Sequence, residues 1–360
     1  MNLSLTRRQL FTAGASSLAL AAAARRAVAQ APAPMPEPLL ANQQRSLVSL
    51  RKGGDRRKNV YNALAAIDAK IAPVLKNKKY VLIKPNNVST VNQLAATHAD
   101  ALRGILDYLS TCFRGPIVIA ESSAGETMEG FEQFRYTRLP AEYSRQQVRL
   151  LDLNEEAKYE VLPVLDADLH LTPVRLAARL FDPEAFIISS SMLKTHNVTV
   201  ATMSIKNMTL GGPLHSAPKD RAKWNDKRKY HFGVRQTHYD MMLTAQRMRP
   251  FWGAAVIDGY EGMEGNGPSA GTPVPSHLAI ASNDYLAADR IGVETMGINA
   301  SWLGYLLYCW QCGLGQYDLN KIDIEGETIA AVKRPYRLHN DIDRELQWMG
   351  PMRDLPPKLG

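Results

Sequence analysis

The chain has 360 residues, 45% hydrophobic and 22% charged, with 24 Gly, 21 Pro and 3 Cys. That balance is globular; it excludes a disordered chain, a collagen-like repeat and a disulfide scaffold. The formal net charge of +8 would suit an acidic or nucleic-acid partner, but its source is local.

Residues 1–29 read as a twin-arginine (Tat) export signal. Arg7 and Arg8 precede a weakly hydrophobic Ala/Leu-rich stretch from Ala13 to Ala24. Arg25 and Arg26 follow, and Ala27-Val28-Ala29 offers a small-x-small cleavage site. The alternative is a basic, Ala-rich helix of the mature protein. The segment holds four Arg and no acid, so its removal halves the net charge to +4. No nucleic-acid partner is therefore expected. The expected partners are the Tat export machinery and a small anionic ligand, and the expected location is periplasmic or otherwise exported. Export in the folded state raises the prospect of a bound cofactor or metal without naming one. Ala31 to Pro38 alternates Ala and Pro with Met and Glu, and residues 30–43 read as an extended linker. No uninterrupted apolar run reaches the ~18–20 residues of a membrane span, so no stable anchor is expected after cleavage.

From residue 44 to about 330 the chain repeats one pattern: a short apolar run, polar residues, then helical spacing. Tyr80-Val81-Leu82-Ile83 ends in Lys84-Pro85-Asn86-Asn87. Thr97 to Asp100 reads as a capping box with Thr97 as N-cap, followed by Leu102, Ile105, Leu106 and Leu109 at helical spacing. Ile117 to Ala120 closes on Glu121-Ser122-Ser123, and Val148 to Leu153 is a weaker strand candidate. Phe186-Ile187-Ile188 closes on three serines, with Lys194 and His196 beyond. Ala254 to Ile257 closes on Asp258-Gly259, and His277 to Ala281 precedes a helical pattern from Tyr285 to Met296. Continuous apolar runs mark strands covered on both faces. The expected fold is α/β: a doubly wound, mainly parallel sheet with helices on both faces. A small subdomain inserted around 200–250 and a C-terminal tail over 331–360 complete the expectation. In such sheets ligands lie outside the carboxyl ends of the strands. Those ends carry Lys84, Asn86, Asn87, Glu121, Ser122, Lys194, His196 and Asp258.

At these residues the chain resembles the family known as domain of unknown function 362. The matching stretches are Lys84-Pro85-Asn86, Thr97-His98, Lys194-Thr195-His196 with Lys206-Asn207 and Gly211-Gly212, Asp258-Gly259 with the Gly262 to Pro268 run and Gly271, and Asn283-Asp284 before Ala287-Ala288-Asp289. They span about residues 80 to 326. The resemblance implies an α/β fold and a bacterial or archaeal protein. It implies no reaction, because the family is named for lacking one. Some relatives carry an added iron–sulfur module; this chain has no Cys-x2-Cys-x2-Cys run, so no such cluster is expected.

The chemistry expected of these residues is anion handling. A lysine at a strand end, here Lys84 or Lys194, grips a phosphate or carboxylate, or acts as a base when desolvated. Helical spacing would put Met203, Lys206 and Asn207 on one face. His196 is the candidate proton carrier, its ordinary pKa lying near neutrality. Catalysis is thus assigned to His196, Lys194 and Lys84, and ligand binding to Asn86, Asn87, Lys206, Asn207, Glu121 and Ser122. The alternative for each is an ordinary loop residue. Asp258 and Glu264, in a stretch of five glycines and three acids, are the candidate ligands for a divalent metal such as Mg²⁺ or Ca²⁺; the alternative is a solvated loop. Lys219 to Arg235 holds seven Lys/Arg against two Asp and either covers an anionic substrate or is a solvated face. His215, His231 and His238 nearby are weak candidates. Cys309-Trp310-Gln311-Cys312 is a Cys-x-x-Cys placed late in a helical pattern, which suits core cysteines or a local disulfide better than a redox motif. The leading expectation is an enzyme acting on a small anion. A non-catalytic binding or cofactor-handling protein comes second and a Cys-x-x-Cys redox protein third.

Overall fold

A computed structural model describes residues 43–350 apart from 157 and 218. The expected signal, residues 1–29, lies outside the described residues, as do the linker up to residue 42 and the last ten positions of the chain.

Twelve strands form among the described residues. They are β1 Ser46–Lys52, β2 Tyr80–Lys84, β3 Ile117–Glu121, β4 Val148–Asp152, β5 Tyr159–Leu165, β6 Leu171–Ala177, β7 Ala185–His196, β8 Val200–Thr202, β9 Trp252–Glu264, β10 Thr272–Val274, β11 Leu278–Ser282 and β12 Ile322–Gly326. The main sheet runs β12-β1-β11-β9-β7-β2-β3-β4, with β8 added to β7 and β10 to β9. β9, β7, β2, β3 and β4 are mutually parallel. Within that eight-strand path β11 alone is antiparallel to its neighbours. The expected α/β sheet of mainly parallel strands is therefore the observed one.

The apolar runs are continuous because the sheet is buried on both faces. Val81, Ile83, Phe186, Ile188, Ala254 and Val256 point into one core cluster. Their alternates Leu82, Ile187, Ala255 and Ile257 point into the other. Helices Arg56–Ala66 and Ala99–Cys112 supply Val60, Leu64, Leu102 and Ile105 to the first layer. Helices Ser204–Thr209, Val234–Met248, Tyr285–Thr295 and Gly304–Gln311 cover the second. At ~25 cal/mol per Å² of apolar surface removed from water, these two layers are the main favourable term. Residues 200–250 contribute Met203, Met208, Tyr230, Met241 and Met248 to the same core. Beyond residue 330, Tyr336, Glu345 and Trp348 are buried against the body. No helix of the described residues is long and apolar enough to cross a membrane.

Three local expectations are corrected. β7 does not end at its serines; it continues to His196. β9 likewise runs through Asp258 to Glu264. The two overruns pair with one another, Met192 with Asp258 and Lys194 with Met263. Buried polar residues therefore stay within a ladder that satisfies their backbone. Third, the N-cap of helix Ala99–Cys112 is His98, whose Nδ1 accepts from Asp100 N at 3.0 Å. Thr97 is drawn inward instead: its Oγ1 accepts from Asn86 N at 2.9 Å and donates to Ser190 O at 2.8 Å.

Candidate anion site

The strand order reverses beside β2: β3 and β4 lie on one side of it, β7 and β9 on the other. Lys84, the last residue of β2, is level with Ser189. β7 therefore overhangs it by seven residues, and β8 folds back along that overhang, pairing Lys194 with Thr202 and His196 with Val200. The chain then turns into helix Ser204–Thr209. Asp289 fixes the start of that helix, accepting from Ser204 N at 2.8 Å and Ile205 N at 2.9 Å. This topology brings Lys84, Lys194, His196, Lys206 and Asn207 to one strand-end crevice, where sheets of this kind bind ligands.

The side chains interlock. Lys84 Nζ lies 2.7 Å from Glu121 Oε1 and donates to Asn207 Oδ1 at 3.2 Å. Asn86 Nδ2 donates to the same Asn207 Oδ1 at 3.1 Å. Asn207 Nδ2 returns bonds to Lys84 O and Ser189 Oγ at 3.1 and 3.0 Å. Glu121 also accepts from the backbone N–H of Asn87 at 3.1 Å and of Ser122 at 2.8 Å. Ser122 Oγ donates to Gly211 O at 2.8 Å and accepts from Lys227 Nζ at 2.9 Å. Lys194 Nζ donates to Ala95 O at 3.1 Å. Asn86 Oδ1, Asn87 Nδ2 and Ser123 Oγ are buried with no hydrogen-bond partner among the described residues. Gly211 makes room for this packing: a Cβ there would stand 2.6 Å from Lys84 Nζ.

The electrostatics are lopsided. Lys84 and Lys194 have no solvent exposure and Lys206 has 5%; Lys227 is partly buried. Burial lowers all four lysine pKa values, to about 7 for Lys206 and for Lys227. Mutual repulsion adds to this, Lys84 acting on Lys206 and Lys206 on Lys194. Glu121 is the carboxylate that opposes the shift in every one of the four. Four lysines gathered about one carboxylate leave the crevice short of negative charge, which an anion would supply.

His196 is held differently from the sequence expectation. Its Nδ1 accepts from Val198 N at 3.1 Å and Thr199 N at 3.3 Å. Burial, with Lys206, His231, Lys194 and His339 around it, pushes its pKa well below the usual range. The ring is thus neutral, with its proton on Nε2, and it serves as a hydrogen-bond donor rather than an acid poised near neutrality.

Asp258 and Glu264 are each engaged by a different arginine. Asp258 is buried against Arg56 Nε at 3.1 Å. Glu264 accepts from Arg337 N at 2.9 Å. The glycines around them allow close packing instead; Gly267 sits against the backbone of Thr195, and Thr195 Oγ1 donates to Gly265 O at 2.8 Å. Cys309 and Cys312 are free thiols, and burial raises the pKa of both, the opposite of an activated redox cysteine. His238 is buried, with Nδ1 accepting from Tyr305 N at 3.2 Å. His215 Nε2 lies 2.8 Å from Ser123 O. Lys227 is the member that sequence reading did not single out; it sits in a basic run where nothing distinguishes it from its neighbours.

No curated protein matches the chain. Two solved structures are similar. One is a protein from Thermotoga maritima, at 11% identity and a TM-score of 0.40, covering 72% of this chain and 59% of that one. The other is the lactate racemase apoprotein from Thermoanaerobacterium thermosaccharolyticum, at 14% identity and a TM-score of 0.39, covering 74% and 60%. The chain thus spans about three fifths of each, and nothing about ligand or reaction passes from either. The family model described as Domain of unknown function (DUF362) matches residues 81–294, and the chain belongs to that family.

Proposed function

We propose that this protein is an exported enzyme that captures a small phosphate- or carboxylate-bearing molecule in the crevice at the end of β2. The observation that carries the reading is the gathering of four lysines about Glu121, which pairs directly with Lys84. Lys84, Lys194, Lys206 and Lys227 supply charge; Asn86, Asn87 and His196 supply oriented donors, and Asn207 positions Lys84 and Asn86. Asn87 Nδ2 is a buried donor still unspent. Such a preorganised field stabilises charge that develops on a bound substrate. The twin-arginine pattern of residues 1–29 supports export.

A second reading is favoured by one observation. His196 is neutral and its Nδ1 is occupied, which suits retention of a ligand better than proton transfer. The test is to purify the exported protein, identify any co-purifying small molecule by mass spectrometry, and incubate it with fresh protein. Chemical conversion supports the enzyme. A tight ligand returned unchanged supports a binding or cofactor-handling protein. A chain that takes up neither phosphate nor carboxylates contradicts both.

A further inference from the structure

Three of the four lysines are tied down. Lys84 is paired with Glu121, Lys194 donates to Ala95 O, and Lys227 donates to Ser122 Oγ and Gly211 O. The Lys206 ammonium has no hydrogen bond or ion pair among the described residues, although its side chain is almost wholly buried. Its backbone is fixed, because Asp289 holds the first turn of its helix. We propose that Lys206 is a nucleophile that forms an imine with an aldehyde or ketone carbonyl carried by the bound anion. This rests on the anion reading above and adds a carbonyl to the substrate class.

The lysines divide the work. The anchored ones hold the anion through fixed donors, while the unanchored one is free to approach carbon. A desolvated amine beside other cations is the environment that keeps lysine unprotonated and nucleophilic. Burial and Lys84 act on Lys206 in that direction. The step balances without an oxidant or reductant. The Lys206 amine adds to the carbonyl carbon, forming a C–N bond and an amino alcohol. The carbonyl oxygen then leaves as water, carrying both amine hydrogens, and C=N remains.

The experiment is reductive trapping. The full protein is incubated at pH 7 with glyoxylate, an aldehyde bearing a carboxylate, and cyanoborohydride, and the modified lysines are mapped by peptide mass spectrometry. An ordinary lysine, with its pKa near 10.4, is neutral only about 0.04% of the time at pH 7. Lys206 is therefore expected to be labelled at least ~100-fold faster than any surface lysine. Inorganic phosphate should slow that labelling, and uncharged acetaldehyde should label Lys206 more slowly. The Lys206→Arg variant should show no adduct there. Label confined to surface lysines, while glyoxylate still stabilises the protein against melting, would overturn the imine and leave the anion site standing. If neither glyoxylate nor phosphate stabilises the wild-type protein, the anion reading fails and the imine with it. The wild-type map does not depend on how any variant folds.

Discussion

Lys84 is the residue on which the pocket turns: it has no exposure, and it joins Glu121 to Asn207. Removing one partner of a buried ion pair strands the other, at a cost of about 3–5 kcal/mol. Lys84→Met should lower the unfolding free energy by about that much. Urea denaturation tests this; a loss under about 1 kcal/mol, as for an exposed pair, would contradict the pairing. Gly211→Ala would push a methyl against Lys84 Nζ. It should cost ~1–3 kcal/mol, as overpacking does, and weaken anion binding, and unchanged melting and binding would count against the packing. Lys84, Asn86 and Lys194 were legible in the sequence because each follows or ends an apolar run, and Lys206 was legible through its helical spacing and the family resemblance. Lys227 was not, since one lysine in a basic run carries no mark. The state of His196 was not legible either: residue type alone gives a pKa near neutrality, and only burial among cations reverses it.

At the level of elements, the alternating exposure of β2, β7, β9 and β11 to two apolar layers explains why their apolar runs could be read directly. The overruns of β7 and β9 could not, because serine, lysine and Asp-Gly ordinarily mark a strand's end. Here the long-range pairing of the two strands with each other overrides that local signal. β1 and β12 escaped notice for a similar reason; they are mixed in composition and gain their place from pairing with β11 and with each other. The expected tail also holds an element that acts on the site. Glu345 is fully buried and accepts from Val200 N at 2.7 Å. Val200 has a φ of 65°, a conformation costly for a β-branched residue. The turn just before it supplies the two N–H groups that hold His196. Glu345→Ala leaves that buried N–H unsatisfied, so it should cost about 1–3 kcal/mol. Amide exchange at Val198, Thr199 and Val200 should speed up; protection equal to wild type would show that the C-terminal segment does not hold this turn.

For the whole molecule, the buried lysines make stability depend on pH in a definite direction. Lys206 and Lys227 release their protons near pH 7 in the folded state but near 10.5 when unfolded. Below about pH 7 both states are protonated and the cost of burying the charge is fully present. Between about 7 and 10.5 the unfolded chain holds more protons, so stability should rise with pH. Asp240, Asp289 and Glu345, pushed up to about 7, work the other way, but only below that point. Urea midpoints of the ligand-free protein should therefore climb from pH 7 to 9.5, and less so in Lys206→Met. A flat profile, or the same climb in the variant, would contradict the assignment. Export is tested separately: Arg7→Lys with Arg8→Lys keeps the charge and should leave the chain in the cytoplasm on cell fractionation, whereas unimpaired export would remove the twin-arginine reading.

Anion capture by the lysine-lined crevice at the end of β2 is the central proposal. Calorimetric titration of the ligand-free protein with inorganic phosphate and with oxalate, at pH 7 and pH 9 in chloride-free buffer, addresses it most directly. Saturable one-to-one binding of at least one of them is expected, weaker at pH 9 and lost in Lys194→Met. No saturable heat at either pH, or binding indifferent to both pH and Lys194, would contradict it.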